Sequence, residues 1–217
     1  MSKKALVTGA SEGIGHVFAK QLAADGYHVT AVARTESKLK TLIGELGTDH
    51  KYVVADLSTD EGQQKVVNEI ETQKYDLLIN NAGVGTVGNF VKVPIERQLA
   101  MVNLNCVAVV RLAHAFLKNG KAGDALINTS STLAFLPTPG IGLYSATKSF
   151  VTSFSESLWF EQKAKGIYVM GLCPGVTATN FQVNSGGKAD DVPASMAQTP
   201  DQVVKVALKA LKARKRP

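Results

Sequence analysis

Tyr144 and Lys148 stand four residues apart in Tyr144-Ser145-Ala146-Thr147-Lys148, with Ser130-Ser131 thirteen or fourteen residues upstream of the tyrosine. On a helix, side chains at i and i+4 share a face, so the Lys148 ammonium can lie beside the Tyr144 phenol. A free tyrosine ionises near pH 10, and lowering that by ~3 units takes about 4 kcal/mol of preferential stabilisation of the phenolate. A close cation in a dry cleft supplies much of that. The spacing therefore predicts proton-transfer chemistry at a phenol whose pKa is drawn down toward neutrality. A surface helix carrying the same two residues would have the same spacing, so the pair must be judged by the elements that position it.

Short apolar runs alternate with longer amphipathic stretches along the 217 residues, the pattern of βα units around a parallel sheet. The runs are Ala5 to Thr8, Val29 to Ala33, Tyr52 to Ala55, Leu77 to Asn80, Ala125 to Asn128 and Ile167 to Leu172. They are apolar almost throughout, as strands covered on both faces should be. Helices are expected near Gly15 to Asp25, Thr35 to Leu46, Thr59 to Glu71, Ile95 to Lys118, Tyr144 to Lys165 and Pro200 to Ala213. The whole chain, 1–217, reads as one doubly wound α/β domain of Rossmann type with a central parallel sheet of about six strands. A loop over 182–198, after the last strand, falls at the carboxyl edge of the sheet, where such folds bind ligands.

Composition narrows the class. Apolar residues make up 45% and charged residues 19%, as in an ordinary globular chain. The start, Met1-Ser2-Lys3-Lys4, lacks the pattern of a signal peptide, and no uninterrupted run of about twenty apolar residues occurs. A cytoplasmic protein without a membrane span is the expectation. Cys106 and Cys173 have no metal-ligand spacing, so free thiols and no metal site are expected. Part of the net charge of +6 is a cluster of Lys205, Lys209, Lys212, Arg214, Lys215 and Arg216. No aromatic residue interleaves it, so it reads as a solvated face and not a nucleic-acid surface.

After the first strand comes Thr8-Gly9-Ala10-Ser11-Glu12-Gly13-Ile14-Gly15, leading into a helix. Glycines at a strand-to-helix turn let the backbone approach a pyrophosphate, and the helix amino terminus adds N–H groups and a positive dipole end. The second strand ends Ala33-Arg34-Thr35, with Arg34 where an acid would otherwise bond the adenosine ribose. Arginine forks phosphate oxygens, so NADP(H) is favoured over NAD(H). Glu12 works against this if its carboxylate points inward. Asp56-Leu57 after the third strand would meet the adenine, and Asn80-Asn81-Ala82-Gly83 after the fourth would leave room for the ribose.

These motifs, in order, resemble the short-chain dehydrogenase/reductase family of NADP-preferring type, from Lys4 to about Thr179. The elements are TGxxxGxG at Thr8 to Gly15, NNAG at Asn80 to Gly83, a helical Asn, a strand-end Ser, YxxxK at Tyr144 to Lys148, and Pro174-Gly175. The resemblance implies a catalytic set of Asn103, Ser131, Tyr144 and Lys148, with Ser130 a neighbour of the catalytic serine. It gives Asn103 a water that links Lys148 to solvent and leaves Asn105 a structural role on another helix face. Cofactor contacts are implied at Gly9, Ser11, Glu12, Gly13, Ile14, Gly15, Arg34, Asp56, Leu57, Asn81, Ala82, Gly83, Tyr144, Lys148, Pro174, Gly175, Val176 and Thr179. The implied reaction moves hydride between NADP(H) and an uncharged carbonyl or secondary alcohol, with Tyr144 as general acid or base. The alternative is a cofactor sensor or scaffold on the same fold without turnover.

The expected substrate pocket is apolar, built from Val84, Phe90, Leu133, Phe135, Leu136, Ile141 and Leu143, with Lys188 able to swing in. Apolar residues on more than one face of the helices at Ile95 to Lys118 and Tyr144 to Lys165 imply a homodimer, with a tetramer as the larger assembly. The family's usual seventh strand would begin where this sequence ends, at Pro217, so either a shortened chain or an absent edge strand is expected.

Overall fold

The computed structural model describes residues 2–187 and 197–214. The apolar runs form the strands β1 (Lys4–Thr8), β2 (His28–Ala33), β3 (Lys51–Val54), β4 (Leu77–Asn80), β5 (Ala125–Thr129) and β6 (Tyr168–Leu172). They pair in parallel in the order β3-β2-β1-β4-β5-β6, so the sheet reverses direction of growth between β1 and β4. Side chains alternate across this sheet and both faces are dry. Ala5, Val7, Leu77, Ile79, Ile127 and Met170 join one core, with Phe18, Leu39, Leu42 and Leu208. Leu6, Leu78, Leu126 and Val169 join the other, with Val66, Ile70, Leu112 and Leu158.

Those partners come from helices on opposite sides. α1 (Gly13–Ala24), α2 (Glu36–Leu46) and α8 (Pro200–Ala213) cover the first face, and α3 (Asp60–Gln73), α5 (Ala108–Lys118) and α6 (Gly142–Lys163) cover the second. α4 (Ile95–Val102) and the short α7 (Phe181–Asn184) lie nearer the carboxyl edge. α8 starts on a capping box between Thr199 and Gln202 with Pro200 in its first turn, which explains its sharp onset. The basic cluster on α8 partly serves as ties: Lys212 pairs with Asp25 at 3.2 Å, and Arg214 donates to the carbonyls of Gly123 and Gly166. Lys215 and Arg216 lie outside the described residues.

The stretch expected as one helix from Ile95 to Lys118 is broken by a π turn over Asn103–Val107. By length and mean hydropathy, 1.5 over its window, this stretch could cross a membrane, although no run in it is uninterrupted. Half of that window is buried within the fold, as in a core helix. Cys106 and Cys173 are free thiols, each half-buried.

A chain of buried amides fixes α6 against the sheet. Asn80 Nδ2 donates to Asn128 Oδ1 at 3.0 Å, and Asn128 Nδ2 donates to Ser155 Oγ at 3.0 Å. Asn128 and Ser155 are both fully buried, so neither partner can turn to water when the other is removed. Asn128→Ala is expected to lower the free energy of unfolding by about 2 kcal/mol or more in urea titrations. An unchanged midpoint would mean that the amides do not hold α6.

Candidate active site

A cleft of about 930 Å³ opens at the carboxyl edge, where the sheet order reverses. Thr8 at the end of β1 ties the two halves together: its Oγ1 accepts from the amides of Asn81 and Ala82 at 2.9 and 3.0 Å. Asn81 Nδ2 returns a bond to the Thr8 carbonyl. Gly9 follows at φ +66°, and a Cβ there would lie 2.9 Å from Asn81 Nδ2. Gly15 lies beneath the turn, where a Cβ would lie 2.3 Å from the Gly9 carbonyl oxygen. Glu12 occupies the N-cap of α1 without a side-chain capping bond, so it does not block the helix amino terminus. A tight glycine cradle, free helix N–H groups and a long cleft together fit a dinucleotide. Every expected cofactor-binding residue except Gly15 lines this cleft.

Lys148 forms its floor. Its Nζ donates to the Thr129 carbonyl at 2.8 Å, and Ser130 Oγ donates to the Lys148 carbonyl at 2.8 Å. Tyr144 lies one turn earlier, 5.7 Å from ring centroid to Lys148 Nζ, and the Phe181 ring packs against it at 5.4 Å. Ser131 hydrogen-bonds the phenol, and its Oγ also accepts from the Leu133 amide at 3.1 Å, capping a 3₁₀ turn over Thr132–Phe135. The serine is thereby fixed in rotamer while it touches Tyr144.

The expected lowering of the phenol pKa is not what the chain produces. Burial pushes Tyr144 up to about 12, with the Ser131 bond opposing it, and drives Lys148 down to about 8, with the Cys106 and Cys173 thiols opposing that. Tyr144 is 8% exposed and Lys148 4%, and removal of water outweighs a cation that is not in contact with the phenol oxygen. Tyr144 is therefore a neutral acid throughout the neutral range.

The asparagine expectation is also corrected. Asn103 turns away from Lys148, its Nδ2 donating to the Ser58 carbonyl at 2.6 Å, and it does not line the cleft. Asn105 is buried beside the site instead. Its Oδ1 accepts from the Val84 amide at 3.1 Å, and its Nδ2 donates to the Val84 carbonyl at 2.9 Å and to Thr147 Oγ1 at 3.1 Å. A Cβ built on Gly83 would lie 3.3 Å from Asn105 Oδ1 and 3.4 Å from Lys148 Nζ, so both groups face one small gap. The sequence signal was available: Met101, Asn105, Ala108 and Leu112 form one buried stripe, and Asn105 is its polar member. The Thr129 carbonyl and Phe181 were missed for another reason, because no spacing rule brings them to the lysine and the tyrosine.

At the adenosine end, Arg34 is exposed beside Thr35 and Lys38. Asp56 Oδ1 accepts from Ser58 N at 2.9 Å and Ser58 Oγ at 2.7 Å, closing an Asx turn next to buried Leu57. At the other end Pro174, Gly175, Val176 and Thr179 line the wall, and Gly13 meets Thr179, whose Cγ2 would lie 3.2 Å from a Cβ there. The loop over 182–198 is pinned at both described ends: Ala178 N donates to Gln198 O, and Val87 N donates to Ser185 O, each at 2.9 Å. Lys188 lies outside the described residues. Of the expected apolar pocket, Val84 and Leu133 line the cleft, while Phe90, Phe135 and Leu136 are exposed. Arg97, not expected there, also lines it and donates to the Asn184 carbonyl at 3.1 Å. Among the described residues no group of three or more His, Cys, Asp or Glu could hold a metal ion.

Three comparisons bear on this geometry. A family model described as short chain dehydrogenase matches residues 3–190. The very-long-chain 3-oxoacyl-CoA reductase of Anas platyrhynchos is 32% identical over 94% of this chain and 67% of its own length. The 7beta-hydroxysteroid dehydrogenase of Mediterraneibacter gnavus is 31% identical over 95% of this chain and 81% of its own. A solved short-chain dehydrogenase from Sphingobium yanoikuyae in complex with NADPH superposes with a TM-score of 0.92 at 32% identity, covering 98% of this chain and 85% of that one.

The buried ammonium carries a pH signature. Because the folded pKa of Lys148, about 8, lies below that of an unfolded lysine, the unfolded chain binds more protons between pH 8 and about 10.5. Burial of Lys148 therefore costs stability below pH 8, and the cost vanishes as pH rises through that window. Lys148→Met is expected to gain on wild type at pH 7, relative to their difference at pH 10.5, by roughly 3 kcal/mol in urea unfolding. A difference independent of pH would contradict it.

Proposed function

This chain belongs to the short-chain dehydrogenase family, an oxidoreductase family, and we propose that within it the protein is an NADP(H)-dependent reductase of uncharged carbonyl substrates. The observation that carries the reading is Tyr144, a phenol kept protonated by burial, hydrogen-bonded to Ser131 and lining the dinucleotide cleft. Bound NADPH would supply the hydride to the carbonyl carbon. Tyr144 gives its proton to the carbonyl oxygen as that bond forms, and Ser131 Oγ donates a second hydrogen bond to the same oxygen. Lys148, charged below pH 8, offsets the negative charge left on the phenol. Asn105, facing the gap at Gly83 with Lys148, takes the positioning role expected of Asn103.

The pKa of Tyr144 favours the reductive direction. A neutral phenol is ready to donate, whereas oxidation of an alcohol would first require its ionisation in a dry pocket. Val84 and Leu133 give the cleft an apolar stretch that suits a bulky uncharged ketone, and the hydroxysteroid in the name of the Mediterraneibacter gnavus relative supports that class. NADP(H) is supported by Arg34 at the adenosine end and by the NADPH of the Sphingobium yanoikuyae structure.

Two measurements follow. NADPH consumption with a panel of bulky ketones is expected to fall by about 10² to 10⁴ in Tyr144→Phe with NADPH affinity retained; activity equal to wild type would sink the mechanism. In the same assay Asn105→Ala should lose kcat by about tenfold or more, and Asn103→Ala should leave kcat within about twofold. The reverse order would restore Asn103 to the site.

We also propose self-association through the outer faces of the π turn, α5 and α6, where Val107, Val110, Phe150 and Phe160 are exposed. Light scattering is expected to give a mass near twice 23.0 kDa. A monomer at micromolar concentration would contradict this.

A further inference from the structure

Glu12 puts a carboxylate in the phosphate turn, yet it points neither at the helix amino terminus nor into empty solvent. Its Oε2 accepts from Lys38 Nζ at 2.9 Å and its Oε1 accepts from Asn184 Nδ2 at 3.1 Å. The bond from Lys38 holds the Glu12 carboxyl below the usual range, against an opposing push from partial burial. Lys38 lies in the first turn of α2 and lines the same end of the cleft as Arg34 and Thr35. The acid nearest to Arg34, Glu36, is committed elsewhere: its Oε1 accepts from Lys40 Nζ and from the Tyr52 hydroxyl, each at 3.0 Å, and it does not line the cleft. Two cations therefore border the adenosine end, and the Glu12 carboxylate beside them is already paired.

We propose that Lys38 is a second ligand for the adenosine 2′-phosphate, presented to it by Glu12, and that Lys38 together with Arg34 sets the preference for NADP(H). This rests on the cofactor reading above. An ammonium has three donors, so Lys38 can keep one on Glu12 and offer the others to phosphate oxygens, with Arg34 forking the rest. Glu12 then orients a cation instead of repelling the ligand. NAD(H), which has only hydroxyls at that position, has no use for the second cation.

The test is calorimetric binding of NADP+ and NAD+ to wild type, Arg34→Ala, Lys38→Met and the double variant Glu12→Gln/Lys38→Met. These side chains lie at the surface, and thermal melting confirms that each variant is folded. The ratio of Kd for NAD+ to Kd for NADP+ is expected to fall about tenfold in Lys38→Met and to stay low in the double variant. If the double variant regains the wild-type ratio, Lys38 only neutralises Glu12 and the proposal is overturned. An unchanged ratio in Lys38→Met, with the ratio lost in Arg34→Ala, also overturns it and leaves the cofactor reading intact. A wild-type ratio at or below about one would overturn the cofactor reading itself, and this inference with it.

Discussion

An ammonium group has to be kept charged in a place with almost no water. Lys148 is 4% exposed, and what it receives in return for its hydration is a single described bond to the Thr129 carbonyl, with the Tyr144 ring nearby. Among the described residues no carboxylate shifts it, and the groups that raise its pKa against burial are two thiols. Such a group persists only where the surrounding fold over-determines its position. The fold does so from three sides: the end of β5 supplies the acceptor, Ser130 and Thr152 clasp the helix backbone at Lys148, and the Asn80-Asn128-Ser155 chain pins α6 to the sheet.

From that constraint the division of labour in the cleft follows. The same dryness that depresses Lys148 raises Tyr144, so the pair holds one loosely bound proton and one tightly bound proton within a helical turn. At the far end the problem is opposite, since exposed charges must be arranged so that they attract one phosphate. α7 connects the two ends. Phe181 covers the Tyr144 ring, Asn184 reaches Glu12 with its side chain, and its carbonyl takes Arg97. A substitution in this strap therefore acts on both ends of the cleft.

Much of this was legible in the residues. Strands buried on both faces announce themselves as unbroken apolar runs, and the six runs became the six strands with shifts of a residue or so at their ends. The glycine turn was readable because Gly9 and Gly15 answer steric demands that only glycine meets. What escaped depended on distances that spacing does not encode. A π turn covers Asn103–Val107 and brings Asn105, not the Asn103 chosen from the family pattern, to the gap that Lys148 faces. The direction of the Tyr144 shift escaped as well, because i and i+4 spacing says that two groups are close but not how dry they are. Glu12 looked hostile to a phosphate because its partner, Lys38, is twenty-six residues away.

The most direct measurement is the titration of Lys148 itself, followed by NMR of side-chain-labelled lysines in the folded protein and assigned by its loss in Lys148→Met. Lys148 is predicted to titrate near pH 8, well below the ordinary lysine value of about 10.4. If Lys148 instead titrates with the others, it is not buried as described, and the proton chemistry assigned to Tyr144 loses its physical basis.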